Sequence, residues 1–99
     1  MFDLVLTRHA QEELARLEGV ARHAGLVKQV KKALGLLQTN PWHPSLQTHR
    51  FSALGHPYDP DGKVFEAYVQ HQTPAAYRLF WCYGPRKGQI TIIAITPHP

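Results

Sequence analysis

Hydrophobic and polar positions along this chain follow two different periods. "FDLVL", residues 2–6, is a short apolar stretch and reads as a strand. "RHAQEELARLE" then changes to a helical period, with Ala10, Leu14 and Leu17 on one face and Glu12 and Glu13 in the opening turns. Thr7 is placed to cap this helix and Gly19 to end it. A second helix is predicted from about Leu26 to Gln38, with Leu26, Val30, Ala33, Leu34 and Leu37 as its buried stripe. Lys28, Lys31 and Lys32 lie off that stripe. "TNP" closes the helix, because a residue before proline avoids the helical region.

The pattern then loses its period. "WHPSLQTHRFSALGHPYDPDGK" holds Pro44, Pro57 and Pro60 with Gly55 and Gly62, which speaks for irregular structure containing a short edge strand in "HRFSAL" and a turn at "PDG". In "KVFEAYVQ", Phe65, Ala67 and Val69 alternate with Glu66, Tyr68 and Gln70, the signature of a half-buried strand. "AAYRLFWCY" and "QITIIAIT" follow, joined by the tight link "GPRKG". Three strands with short links make an antiparallel meander. The plan is one α+β domain over residues 1–99, β-α-α-β-β-β, with a helical hairpin on one face of a mainly antiparallel sheet.

Arg78 stands out in this plan, since a guanidinium keeps its charge and costs several kcal/mol to bury unpaired. Tyr77, Leu79, Trp81 and Tyr83 point one way from their strand, and Ala76, Arg78, Phe80 and Cys82 the other. The bulkier set is assigned to the helices. Arg78 and Phe80 then lie on the opposite, uncovered face, where a cation beside an aromatic ring suits a nucleotide. Pairing of Arg78 with Glu66 on the neighbouring strand fits the pattern equally well.

The charge distribution sharpens the picture. The net charge is +4, and no acidic residue lies between Glu18 and Asp59 or after Glu66. Those two blocks hold Arg22, Lys28, Lys31, Lys32, Arg50, Arg78, Arg86 and Lys87, with six of the seven histidines. A basic face of this kind attracts phosphates or an acidic protein partner. Cys82 is the single cysteine and sits in an apolar run, so an internal disulfide is excluded and an inert buried thiol is expected.

Several classes drop out. The N-terminus has an acid at Asp3 and too short an apolar stretch for a signal peptide, nothing approaches a membrane span, and a cytoplasmic location is the default. Without paired cysteines or HExxH no metal site is expected, and without a glycine-rich phosphate loop no nucleotide cofactor. "DPDGK" fails as a calcium loop and reads as a turn.

Four segments in order carry a resemblance: "VLTRHAQEEL", "KKALGLLQTNPWHPSLQTHRF", "YRLFW" and "ITIIAITPHP". Together they resemble the RelE/ParE superfamily, the toxin halves of bacterial toxin–antitoxin pairs, over nearly the whole chain. The resemblance implies a metal-independent, cofactor-free endoribonuclease that cuts messenger RNA, often on the ribosome, and is held inactive by an antitoxin. In that chemistry the ribose 2′-hydroxyl attacks the adjacent phosphorus. It needs a base, cations for the charge on phosphate oxygens, and an acid for the leaving 5′-oxygen. Arg78 matches the family's strand arginine, with phosphate clamping as its implied role. His49 and Arg50 match a basic pair after the second helix, and His98 a histidine after the last strand that serves acid–base work. Phe80 is implied as a stacking partner for a base. Lys28, Lys31 and Lys32, with Arg86 and Lys87, are the implied RNA contacts, although the lysine helix equally suits an antitoxin segment. Members of the ParE type keep the fold and act on DNA gyrase instead, so the alternative is a non-enzymatic binding module, either a gyrase inhibitor of that kind or an inactive member that binds an antitoxin.

Overall fold

Five strands form a single sheet in the order β1-β5-β4-β3-β2, in a computed structural model that describes residues 1–98. Pro99 lies outside the described residues. The strands are β1 (Asp3–Leu6), β2 (His49–Arg50), β3 (Phe65–Tyr68), β4 (Tyr77–Tyr83) and β5 (Gln89–Pro97). Two helices, α1 (Arg8–Glu18) and α2 (Ala24–Thr39), connect β1 to the rest. β1 runs parallel to β5, with Leu4 opposite Ile90, and every other pair is antiparallel. Among the described residues no helix is long and apolar enough to cross a membrane.

Local rules set the helix ends. The Thr7 hydroxyl oxygen accepts the Ala10 N–H at 3.1 Å and donates to the Ile93 carbonyl at 2.7 Å, so one side chain caps α1 and ties it to β5. Gly19 closes α1 by donating its N–H to Ala15 O. α2 begins two residues before the expected Leu26 and stops where Asn40 turns extended ahead of Pro41. Of its predicted stripe, Val30, Ala33 and Leu37 are buried, while Leu26 and Leu34 are partly so.

The helices cover the face that carries Leu79 and Trp81. There Leu17, Val30, Leu37 and Leu46 pack against Ile90, Ile92 and Ile95. Each such aliphatic side chain contributes about 1.5–3 kcal/mol by leaving water. Ile92 and Ile95 both reach this core despite a spacing of three. A bulge at Ile93 makes that possible, because Phe80 pairs with Ala94 and Trp81 with Ile92.

Two expectations need correction. β2 is only His49–Arg50, since the chain beyond it leaves the sheet to fold over the second face. That face is therefore not open: Phe51 packs on Phe80 with ring centroids 4.8 Å apart, and Tyr58 Oη bonds Thr91 Oγ1 at 3.0 Å. Phe80 keeps 1% exposure, and Val64 to Ala67 are buried on both sides rather than on alternate ones. His56 fixes this covering loop. Its Nδ1 accepts the N–H groups of Tyr58 and Asp59 at 3.1 Å, so its proton is on Nε2, which faces the Tyr83 carbonyl at 3.0 Å.

Candidate active site

Glu66 is an acid in the middle of a sheet, with 1% exposure, and its surroundings explain why it is tolerated. Register places His49 on β2 directly opposite it. Arg78 on β4 is its diagonal neighbour on the same face, because Glu66 pairs with Phe80 and Tyr68 with Arg78. His98 follows β5 and is pinned by its own N–H to Ala76 O at 2.9 Å. Three elements thus bring two imidazoles and a guanidinium around one carboxylate.

The two carboxylate oxygens are divided between the histidines. His49 Nε2 lies 2.7 Å from Oε1, and His98 Nδ1 bonds Oε2. Arg78 Nε stands 3.9 Å from Oε2 without a hydrogen-bond partner. A buried carboxylate loses several kcal/mol of hydration, and charge-assisted hydrogen bonds of this kind offset it.

These contacts assign protons. The second ring nitrogen of His49, Nδ1, faces the Gln47 carbonyl at 3.0 Å. A neutral imidazole has one N–H, so only the imidazolium satisfies both acceptors. His98 Nδ1 bonds the other carboxylate oxygen, and its Nε2 makes no hydrogen bond among the described residues, on a side chain 49% exposed. The pair is therefore asymmetric in its contacts: both ring nitrogens of His49 meet acceptors of the protein, whereas one ring nitrogen of His98 is left to the surface.

Arg78 is held rather than free. Its Nη1 donates to Gln70 O at 2.6 Å and to Tyr77 O at 3.2 Å, and its guanidinium carbon lies 3.7 Å from the centroid of the Tyr68 ring. Nη2 makes no hydrogen bond among the described residues. Arg78 is 7% exposed rather than on an open face, with its Nε edge toward the Glu66 carboxylate and Nη2 left without a partner among those residues.

Of the predicted residues, the structure brings together His49, Arg78 and His98. Arg50 pairs with Phe65, whose side chain belongs to the helix-side core, so strand alternation turns Arg50 away from His49. Phe80 is shut beneath Phe51 and cannot present its ring to a base. Arg86 and Lys87 sit beyond Tyr83, about 17 Å along β4 from Arg78 at ordinary strand rise. Lys28, Lys31 and Lys32 are on α2, across the sheet edge, and Lys31 is already paired with Glu18 at 3.1 Å. The hub itself, Glu66, entered the sequence reading only as a partner for Arg78. Its signal was an acid embedded in "VFEAYV", where apolar neighbours on both sides leave it no route to water.

An apolar cavity of about 640 Å³ adjoins the cluster, lined by Phe51, Leu54, Phe80, Ile93, Ala94 and Pro97 among others. Cys82 is buried beside β5, and burial pushes its thiol up to about 11.

No protein-family model matches the sequence, and no similar protein was found among the curated ones. Solved structures do match. A YoeB/ParE toxin from Agrobacterium tumefaciens superposes with a TM-score of 0.72 at 12% identity, covering 100% of both chains. The YoeB–YefM toxin–antitoxin heterotetramer from Staphylococcus aureus gives 0.67 at 13% identity over 100% of this chain and 99% of that one. The archaeal RelE–RelB complex from Pyrococcus horikoshii gives 0.66 at 11%, over 97% of this chain and 93% of that one. The chain shares the fold of these YoeB/ParE and RelE toxin structures.

Proposed function

We propose that the protein is the toxin half of a toxin–antitoxin pair and acts as an endoribonuclease that needs no metal. The observation that carries this reading is the sharing of one buried carboxylate by two imidazoles, with Arg78 alongside. RNA transesterification uses those parts. His98 Nε2 takes the proton of a ribose 2′-hydroxyl as the oxygen attacks phosphorus. The bond from phosphorus to the 5′-oxygen breaks, and His49 gives that oxygen the Nδ1 proton it otherwise turns to the Gln47 carbonyl, keeping its Nε2 proton on Glu66. The products are a 2′,3′-cyclic phosphate and a 5′-hydroxyl. Arg78 Nη2 and the His49 cation meet the charge that builds on the phosphate oxygens. Glu66 stays ionised, holding both rings in their tautomers.

The antitoxin is the second part of the proposal. Two of the similar structures are toxin–antitoxin complexes, and the apolar cavity beside the cluster offers a partner somewhere to bury side chains next to the reacting groups. The test is induced expression in a bacterial host with transcript ends mapped, wild type beside His98→Ala and Arg78→Ala. Growth arrest with new messenger ends, lost in both variants, is the expected result. Arrest without new ends would move the assignment to DNA gyrase, to be read in a supercoiling assay.

A further inference from the structure

Beyond the residue where β2 begins, the outer edge of β3 has no strand partner, and a cleft of about 230 Å³ opens there against α2. Ala33 and Leu36 form its apolar side, the Tyr68 and His71 rings its aromatic wall, and Lys32 and Ser45 its polar rim. None of its lining residues is acidic, and Lys32 has no ion-pair partner among the described residues, unlike its neighbour Lys31. The volume is below the ~300–1,000 Å³ of sites that enclose drug-sized ligands. An aromatic wall, an apolar floor and a cation with a hydroxyl at the rim suit one nucleotide, with its base against the wall and its phosphate at the rim.

The cleft is joined to the Glu66 cluster through Tyr68. One face of that ring carries the Arg78 guanidinium, and the ring stands 6.1 Å from His49 and 5.3 Å from His71, centroid to centroid. Gln47 makes a second link. It is turned into the left-handed region at φ 46°, a costly conformation for a residue other than glycine. From there its carbonyl faces His49 Nδ1 at 3.0 Å, while its side-chain amide lies 3.4 Å from His71 Nδ1. Tyr68 and Gln47 thus each contact a cluster residue and His71 of the cleft.

We infer that this cleft is a subsite for the nucleotide flanking the scissile one, with Lys32 on its phosphate and His71 beside its base. The inference rests on the ribonuclease reading and extends the same site along the strand. It does not follow from general positive charge, because Lys28 and Lys31 on the same helix do not line the cleft.

The test is binding of a short mixed-sequence RNA carrying 2′-O-methyl riboses throughout, which cannot be cleaved, measured by anisotropy against salt. Lys32→Ala should weaken binding and reduce the slope of log K against log salt by about 0.7, the value for one single-strand phosphate. His71→Ala should weaken it by roughly five- to a hundredfold, the range for one stacked base, with the slope unchanged. Arg22→Ala removes the same charge away from the cleft and should alter neither much. All three residues are at the surface or its margin, so the fold is not at stake. If Lys32→Ala and His71→Ala both behave as Arg22→Ala while the wild type binds and cuts RNA, the subsite is overturned and the ribonuclease reading stands. If the wild type binds no RNA, both fall.

Discussion

Glu66→Gln is the substitution that separates the proposed chemistry from mere sheet stability. Gln has nearly the same shape, but its amide nitrogen would face the N–H of one of the two imidazoles that Glu66 now binds. One ring must turn away. Arg78 would also lose its counter-charge at 3.9 Å, worth about 4 kcal/mol by Coulomb's law at an effective dielectric constant of about 20. Relief of the carboxylate's own burial offsets part of this, and Arg78 keeps its two carbonyls and the Tyr68 ring. A net loss of about 1–3 kcal/mol follows, or a Tm lower by roughly 4–20 °C for a domain of this size. The larger effect falls on the rate. Without the carboxylate one imidazole loses the contact that holds its working tautomer, so single-turnover cleavage at a temperature well below the variant's Tm should fall by about 10²–10⁴. Ground-state affinity for RNA should be unchanged or tighter, since a negative charge has left the site. A general loosening of the fold would weaken affinity and rate together. The double variant with His98→Ala should be little slower than the worse single one, as expected for groups that act as a unit. Cleavage by Glu66→Gln within about threefold of wild type would refute the role given to the carboxylate.

Other predictions concern the loop that covers the second face. His56→Ala leaves two exposed backbone N–H groups to water instead of their acceptor and should cost about 0.5–1.5 kcal/mol, read as a lower midpoint in urea. Gly62→Ala should act through the same ring, because a Cβ there would stand 2.4 Å from His56 Cδ2, whereas Gly35→Ala meets open space inside α2 and should stabilise by about 0.5–1 kcal/mol. Cys82 should resist iodoacetamide in the native protein at pH 8 and react once urea has unfolded it, because burial holds its thiol protonated. The same shift gives a pH dependence. From the ordinary 9.0 up to about 11 the unfolded thiol ionises while the folded one keeps its proton, so stability falls as pH rises through that window. Alkali melts that show no such fall would contradict it.

What the sequence revealed and what it concealed divide along one physical line. Periodicity reports how a residue relates to its own element, and it placed Leu79 and Trp81 against the helices and Arg78 on the other side. The cap at Thr7 and the stop before Pro41 were legible for the same reason, being contacts between near neighbours in the chain. The burial of Phe80 was not legible, because its cover is Phe51, which arrives from a loop with no period of its own. Arg50 was misplaced through its neighbour: adjacency in sequence was taken for adjacency in the site, yet successive strand residues face opposite ways, and His49 took the site. Glu66 shows the deeper limit. An acid on a strand reads as a solvent-facing residue unless something nearby removes the solvent, and here that something is three side chains from residues 49, 78 and 98, joined only by register. Each of the three looked functional by itself. What joins them is the residue between them, whose carboxylate oxygens meet one ring nitrogen of each imidazole, and no single segment of the chain encodes that.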